Sequence, residues 1–450
     1  MSKQIKINRG LNIRLKGESE KTITDFSSIT EFALKPSDFH GFSPKLLVKE
    51  GDEVKIGSPV FFNKTDERIK ITSAVSGTVK AIIRGEKRVI EEIQITASAN
   101  QEAIDFGKAN PNDLNKEQIT EKLLNSGVWA YIRQRPYTII ANPSDTPKAI
   151  FISGFDSAPL APDYDFILHG KGDIFQLGID ALAKLTSGKI HLNLHSCINT
   201  SKVFSNSKNV EITYFSGPHP SGNVGVQIHH INPINKGDIV WFVNPQDVLL
   251  IGKLFHEGKY DASKIIALSG SELLHAKYAK VIGNTCISAL VKDNVKSGNL
   301  RYISGNALTG SKISEKAYLG FYDHQITVIP EGDFHEFFGW ALPGLDKFSF
   351  SKSYFSWLTP VKKYTIDTNY HGGERAYVIT GEYEKVLPMD IMPMQMIKAI
   401  LAEDIDMMEK LGIYEVDEED FALVEFIDTS KTEIQSIIRK GLDLIRKEMN

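Results

Sequence analysis

Cysteine is scarce in this chain of 450 residues, in which only Cys197 and Cys286 occur. A disulfide framework needs several cysteine pairs, and a four-cysteine iron–sulfur cage needs about four thiolates. The count therefore excludes such a cage within this chain and indicates a protein of a reducing compartment. We predict that the chain holds no metal ion and no tightly or covalently bound cofactor.

Long apolar runs and an excess of one charge are also missing. The 52 basic and 56 acidic side chains give a net charge of −4, which argues against nucleic acid as a partner and gives little attraction to anionic lipid.

No stretch reaches the ~18 apolar residues of a spanning helix, and the richest run, 239–255, is broken by Asn244, Pro245 and Asp247. Residues 1–17 have no apolar core of the kind that a signal peptide needs. The sequence predicts no transmembrane segment.

The patterns that are present are typical of a multidomain α/β protein. Short β-branched runs with Gly-Asp turns over about 40–98 predict a carrier-like sandwich of the biotinyl/lipoyl type within an N-terminal β region, 1–100. Strand-like runs alternate with helical patterns over 101–258, which predicts a Rossmann-like, doubly wound α/β domain. A small α+β domain of β-grasp-like character over 259–375 and a C-terminal helical domain over 376–450 complete the prediction.

Several individual elements can be placed from periodicity and from capping residues. We predict strands at 149–153, 190–194, 210–215, 239–243 and 265–268, and helices at 113–128, 174–186, 245–257, 389–411 and 432–449.

The predicted sandwich lacks the residue that carrier chemistry requires. Counting back from the Ser-Gly-Thr-Val turn at 76–79 places the position of a carrier's modified lysine at about Asp66. A carboxylate cannot form the amide to biotin or lipoate. We therefore expect the fold without the carrier function.

A dinucleotide fingerprint is also incomplete. His169-Gly170-Lys171-Gly172 begins a Gly-x-Gly-x-x-Gly pattern, but Phe175 stands where the third glycine permits close approach of helix and strand. The sequence therefore disfavours NADH binding by this chain.

Histidines cluster in the middle of the chain without a metal-binding spacing; they are His169, His191, His195, His219, His229 and His230. Ordinary polar roles are the simpler interpretation. His219 lies in the loop 216–225, where three glycines and two prolines follow a predicted strand. Because ligands bind at strand ends in open α/β sheets, the loop is a candidate for ligand binding or subunit docking, with a purely structural turn as the alternative.

An arginine–aromatic segment, 129–137, is the second candidate site. Arg133 and Arg135 offer hydrogen-bond donors near flat rings such as Tyr137, which is the combination that a quinone needs. Pro136 disfavours helical geometry at Arg135, so we expect an extended stretch in which both arginines point the same way, at the junction of the first two domains. The alternative is that these arginines cover a domain junction.

Six sequence blocks together resemble one family. They are GPHPSGNVGVQIHHINP at 217–233, NPQDVLLIGKLF at 244–255, SGVWAYIRQRPY at 126–137, ISGNALTG at 303–310, VIPEGDFHEFFGWALPG at 328–344 and GEYEKVLPMDIMP at 381–393. In this order they look like the A subunit of the sodium-translocating NADH:quinone reductase. That family is itself similar to the C subunit of the Rnf complex and to the flavoprotein subunit of respiratory complex I.

The resemblance implies a peripheral subunit of a six-subunit complex on the cytoplasmic face of the bacterial inner membrane, whose chief partner is the membrane-embedded B subunit. NADH would be oxidised on another subunit, and a ubiquinone- or menaquinone-type quinone would be reduced while sodium leaves the cell. The resemblance also places quinone near 34–42 and 132–139. The candidate quinone-contacting residues are Phe39, His40, Phe42, Arg133, Arg135, Pro136 and Tyr137. The alternative is a structural docking subunit that never touches quinone.

Overall fold

The computed structural model describes residues 3–196, 200–334, 336–339, 341–377 and 381–449. Cys197 lies outside these residues. Within them the chain forms four β-sheets and eleven α-helices. None of the helices in these ranges combines the length and the apolar character that crossing a bilayer requires.

The N-terminal region contains two small sheets, with strand orders β3-β9-β8-β5 and β4-β6-β7. The strands up to residue 97 are β1 (Lys3–Lys6), β2 (Glu20–Asp25), β3 (Glu31–Leu34), β4 (Pro44–Leu46), β5 (Glu53–Val54), β6 (Pro59–Asn63), β7 (Asp66–Thr72), β8 (Gly77–Arg84) and β9 (Ile90–Ala97). Alternate residues of these strands, such as Phe61, Ile71 and Ile93, are buried in one core. A two-sheet sandwich results, as the alternation of apolar residues predicts.

Asp66 stands at the tip of the β6–β7 hairpin, where the sequence count placed it. Its carboxylate binds the guanidinium of Arg68, with an Oδ2–Nη2 distance of 2.6 Å. At the counted position the hairpin therefore carries an ion pair instead of an amine.

We expect the sandwich to carry no prosthetic group in the cell. Intact-mass spectrometry of the chain purified from its native host should give the mass of the unmodified polypeptide. A mass increase equal to a biotinyl or lipoyl group would contradict the expectation.

The first two strands leave the sandwich, which the sequence did not suggest. β1 joins the sheet of the α/β domain, where Lys3 pairs with Thr213, and β2 joins the third sheet, where Ile23 pairs with Tyr278. The N-terminus therefore ties three parts of the chain together.

The α/β domain contains a seven-stranded sheet of order β1-β14-β13-β12-β15-β10-β11. Its elements are α1 (Lys116–Ser126), β10 (Arg133–Arg135), β11 (Ile139–Ile140), β12 (Ala149–Ser153), α2 (Tyr164–Ile167), α3 (Gly172–Ala183), β13 (Lys189–His195), α4 (Lys202–Ser205), β14 (Glu211–Ser216), α5 (Val224–Ile231), β15 (Val240–Phe242) and α6 (Pro245–Glu257). β13 lies on one side of β12 and β15 on the other, all in parallel. This reversal of strand order is a topological switch point, where such sheets form a crevice.

The predicted boundaries of α6 are confirmed, and the reasons are local. The side chain of Asn244 accepts a hydrogen bond from the amide of Gln246, Pro245 occupies the first turn, and Gly258 ends the helix at φ 76°. Phe175, which interrupts the glycine fingerprint, lies in the first turn of α3 as a buried core residue instead of opening a phosphate-binding turn.

A third sheet of order β19-β18-β20-β16-β17-β2 follows. Its elements are β16 (Ser263–Ser269), β17 (Lys277–Ile282), α7 (Ser288–Val291), β18 (Leu300–Ser304), β19 (Ser311–Ile313) and β20 (Gln325–Pro330). The strand predicted at 265–268 is β16, and it belongs to this mixed sheet and not to the doubly wound one. A mixed pairing pattern is typical of an α+β domain.

The C-terminal region is helical, with α8 (Pro393–Leu401), α9 (Ile405–Lys410), α10 (Ala422–Ile427) and α11 (Ile434–Met449). The prediction of one helical run over 389–411 is wrong, because Glu403 has a φ of 54° and Asp404 caps a new helix. α11 buries Ile434, Ile438 and Leu442, as its periodicity predicts.

Candidate functional site

The loop after β3 brings Phe39 into a cluster of aromatic rings. A short 3₁₀ helix, Pro36–Asp38, turns the chain, and the carboxylate of Asp38 accepts a hydrogen bond from the amide of Phe321 at 2.8 Å. The Phe39 ring lies 4.8 Å from that of Phe321 and 5.8 Å from that of Tyr322, centroid to centroid. Phe42 packs against the Phe39 ring at 5.6 Å. This loop therefore carries apolar faces to the edge of the third sheet.

Arg133 and Arg135 point to the same side of β10, as predicted. Both guanidinium groups lie over the ring of Phe242, at 4.5 Å for Arg133 and 5.9 Å for Arg135. Arg133 is also 4.4 Å from the ring of Tyr322, which places it between two aromatic faces. Tyr322 thus contacts both predicted segments, 34–42 and 132–139, although they are far apart in sequence.

Arg135 is completely buried and bound by carboxylates of the C-terminal region. Its Nη1 donates to Asp420 at 2.8 Å and its Nη2 to Glu419 at 2.6 Å, while Asp417 lies 3.7 Å away. Burial alone would lower the pKa of Arg135, but these three carboxylates raise it above its ordinary value. The prediction that Arg135 lies at the junction of the first two domains is therefore wrong. It joins the α/β domain to the C-terminal helices, and its contact with quinone stays a prediction.

The neighbouring residues form a rim around this ion-pair group. After Pro136, Tyr137 has a φ of 81°, and its carbonyl accepts a hydrogen bond from Arg439 of α11 at 2.9 Å. The Nε2 of His40 lies 3.1 Å from a carboxylate oxygen of Glu418. Arg446 of α11 donates to the carbonyl of Gly41 at 3.4 Å, so α11 contacts both predicted segments.

Gly41 lies where α11 meets the loop, in a left-handed backbone conformation that favours glycine. It has a φ of 62°, and a Cβ at this position would lie 1.3 Å from a guanidinium nitrogen of Arg446. Burial raises the pKa of the nearby Tyr137 hydroxyl, and Arg446 opposes that rise.

Four segments thus meet at one place in the fold. We call the assembly of residues 38–42, 133–137, 321–322 and 417–420 the junction, and the word has this meaning from here on.

Buried ionisable groups lie behind Arg133 at the switch point of the sheet. Asp247, in the first turn of α6, is buried, and burial raises its pKa to about 7, although Lys264 and Arg133 oppose the rise. The Nε2 of His324 lies 3.8 Å from Asp247, and burial lowers the pKa of this imidazole far below its ordinary value. Lys264 donates to the carbonyls of Phe321 and Asp323. Sequence reasoning missed these residues together with Tyr322.

The loop 216–225 is a compact turn that supports the C-terminal region. His219 is buried, its Nδ1 lies 3.0 Å from the hydroxyl of Ser157, and burial lowers its pKa to about 4. Asn223 donates to the carbonyl of Glu419 at 3.2 Å. These contacts favour the structural alternative for this loop, and a ligand at His219 stays a prediction.

The other histidines that the structure describes show no metal-binding arrangement. His229 and His230 lie on α5 and not on a strand, and His229 accepts from the amide of Asp390 while its Nδ1 contacts Glu415 at 2.6 Å. Among the described residues, no group of three or more His, Cys, Asp or Glu side chains could hold a metal ion. Cys286 is a free, buried thiol.

Comparison with protein families defines the class of the chain. The model of the NqrA N-terminal barrel-sandwich hybrid domain matches residues 5–98, that of the NqrA second α/β domain matches 114–260, and that of the NQRA C-terminal domain matches 265–315. The first two matches confirm the coarse fold prediction of a sandwich-type domain followed by an α/β domain.

Curated relatives specify the family over the full length. The A subunit of the Na(+)-translocating NADH-quinone reductase of Pasteurella multocida (strain Pm70) is 37% identical over 448 residues, which cover 99% of this chain and 100% of the relative. The corresponding A subunits of Yersinia pestis bv. Antiqua (strain Angola) and Neisseria meningitidis serogroup B (strain ATCC BAA-335 / MC58) are each 36% identical, with the same two shares. The chain belongs to the family of A subunits of the Na(+)-translocating NADH-quinone reductase.

Proposed function

We propose that this chain is a peripheral subunit of the sodium-pumping NADH:quinone oxidoreductase complex and contributes to quinone binding at the junction. The observation that carries the proposal is the contact of Tyr322 with both Phe39 and Arg133. Two segments that the family resemblance links to quinone are thereby in contact through one side chain.

The chemistry of the junction suits a flat ring with two carbonyl oxygens. Phe39 and Tyr322 offer aromatic faces, and Arg133 offers a donor to which no carboxylate of the described chain comes within 4 Å. Arg135 is less suitable, because its guanidinium already serves Asp420 and Glu419. We therefore assign the donor role to Arg133 and place His40 and Tyr137 on the rim. Pro136 shapes the turn between them.

The wider setting is part of the same proposal. The relatives are named as one subunit of a sodium-translocating reductase, so we place the chain on the cytoplasmic face of the bacterial inner membrane, against the membrane-embedded B subunit. NADH would be oxidised elsewhere in the complex. The chain would supply the protein surroundings of quinone without a resident redox centre.

A structural docking subunit is the second candidate. The buried ion pairs of Arg135 and the contacts of α11 with Tyr137 and Gly41 support this candidate, because they join β10 and the loop 38–42 to the C-terminal region. In that case the rings of Phe39, Phe321 and Tyr322 only pack against one another and do not contact quinone.

Arg133→Ala separates the two candidates. We expect quinone affinity of the assembled complex to fall about ten- to a hundredfold, because one charge-assisted hydrogen bond contributes roughly 1.5–3 kcal/mol. NADH oxidation with an artificial acceptor should stay unchanged. The measurement is a quinone titration of the purified variant complex.

The matched control is Arg84→Ala on β8, where the guanidinium is exposed and donates only to the backbone of Arg88. Its quinone affinity should equal that of the wild type. A well-folded Arg133→Ala complex with wild-type quinone affinity would leave the docking role as the function of the junction.

A further inference from the structure

The segment that follows β20 exposes many large apolar side chains. It contains two such runs, 334–345 and 355–361, and Phe337 and Val361 are 86% and 80% exposed. The exposed side chains, which we call the aromatic surface, are Phe334, Phe337, Phe338, Leu342, Leu345, Phe355, Trp357, Leu358 and Val361.

Hydrogen bonds hold the two runs side by side. The amide of Phe355 donates to the carbonyl of Pro343 at 2.9 Å, and Lys362 donates to the carbonyl of Leu345 at 3.0 Å. The segment is also fixed to the body of the protein, because Tyr364 forms a β-bridge with Leu15, and Arg14 donates to the carbonyl of Pro360 at 2.7 Å. The exposed side chains therefore stand on an anchored backbone.

The extent of the aromatic surface exceeds what a monomer ordinarily exposes. A large apolar side chain that is half exposed presents roughly 80–100 Å² to water, so the nine together present on the order of 800 Å². The largest apolar patch on a typical monomer is about 300–600 Å². One side of a stable protein–protein interface buries about 800 Å².

The charges around the surface favour a protein partner over anionic lipid. Lys347 pairs with Glu336, Lys362 with Asp346 at 2.5 Å, and Lys363 with Glu18 at 2.8 Å. Lys352 is the remaining lysine in the described part of 334–363, and no carboxylate lies within 4 Å of it. Segments that bind anionic lipid carry clusters of about 4–8 unpaired basic residues. Protein interfaces instead combine aromatic residues with few free charges at their centre.

We propose that the aromatic surface docks onto an apolar face of a membrane-embedded subunit of the same complex. The relatives are named for a reductase that translocates sodium, and moving an ion across a bilayer requires chains that span it. The described helices of this chain do not span one. Because most charges beside it are paired, the aromatic surface resembles the centre of a protein interface more than a lipid-binding segment. The proposal rests on the proposed place of the chain in the membrane complex and does not depend on where quinone binds.

Photo-crosslinking in the complete complex tests the contact. A benzophenone amino acid at position 337 should form an adduct with a membrane-spanning subunit, identified by mass spectrometry. The same group at Val89, which is exposed directly before β9 of the N-terminal sandwich, should give no such adduct. An adduct with a second copy of this chain, with a subunit that does not span the membrane or with lipid, or no adduct at 337, would overturn the proposal.

A double variant, Phe337→Ser with Val361→Ser, gives the second measurement. Retention of the subunit in the detergent-purified complex should fall about tenfold or more, since central interface residues commonly contribute that much to binding. Val89→Ser with Leu274→Ser is the matched control and should be retained like the wild type. Because all four side chains are largely exposed, the thermal melts of the purified chains should agree.

A vesicle experiment separates lipid from protein as the partner. The full chain should not float with vesicles of phosphatidylethanolamine and phosphatidylglycerol. Flotation that the double variant abolishes would overturn the proposal and assign the aromatic surface to lipid.

Discussion

Arg135→Ala is expected to lower the free energy of unfolding by about 3–5 kcal/mol, because it leaves buried carboxylates without their cation. Asp420 is fully buried. Without Arg135, its Oδ2 would keep the hydrogen bond from the amide of Asp417, and its Oδ1 has no hydrogen-bond partner within the described chain. Asp417 is also buried, and of its two cations only Arg439 would remain. The loss should loosen the turn Glu418–Phe421 and the helices that follow it.

The measurement is denaturant unfolding followed by tryptophan fluorescence, which reports the buried Trp129 and Trp241 of the α/β domain. Limited proteolysis should show earlier cleavage among the C-terminal helices in the variant than in the wild type. Arg68→Ala is the control, since Arg68 pairs with Asp66 at an exposed hairpin, and its cost should stay below about 1 kcal/mol. An Arg135→Ala chain as stable as that control would show that the ion-pair group does not hold the C-terminal region.

This expectation changes how quinone experiments on the segment 129–137 are interpreted. A loss of quinone affinity in Arg135→Ala would follow from displaced C-terminal helices even if Arg135 never meets quinone. Arg133→Ala removes a half-buried guanidinium that stacks on Phe242 and Tyr322 without carboxylate partners. The two variants together therefore distinguish an altered site from an altered scaffold.

The sequence predicted what depends on neighbouring residues. The bounds of α6 follow from Pro245 and Gly258, and β12 occupies the predicted residues 149–153. The common orientation of Arg133 and Arg135 follows from the two-residue period of an extended chain. Each of these features is encoded within a few residues of itself, so one sequence is sufficient to find it.

Features that depend on distant contacts could not be predicted. Nothing near Arg135 indicates that its partners lie 284 and 285 residues away, or which of two arginines in one strand is the buried one. The sequence of β1 is that of an ordinary polar strand and does not indicate a partner. Its position beside β14 is determined by tertiary packing. Tyr322 stands in an aromatic pair just before the buried β20, which is a weak signal that packing could equally explain.

The ionisation of Asp247 is expected to make the free energy of unfolding depend strongly on pH. Burial raises the pKa of this carboxyl from 3.8 to about 7 in the folded chain. The folded state therefore binds a proton that the unfolded state releases between these two values, and stability falls as pH rises through that window. The cost is small below the unfolded pKa and complete above about pH 7. Each tenfold change in proton affinity is worth about 1.4 kcal/mol, so the full cost is roughly 4–5 kcal/mol.

Asp247→Asn removes this ionisation, and its amide is close in shape to the protonated carboxyl. We expect the free energy of unfolding of the variant, relative to that of the wild type, to increase by roughly 3 kcal/mol when the pH is raised from about 4.5 to about 8. His324, Lys264 and Arg133 surround Asp247 in both proteins, so their own titration largely cancels in the difference. Parallel pH profiles of the two proteins would mean that Asp247 is ionised in the fold across this range, held by Lys264 and Arg133. If the two pH profiles instead converge at low pH and separate as the pH rises, Asp247 is a neutral carboxyl in the folded chain. Arg133 then has no charged partner at Asp247 and can donate to a ligand at the junction.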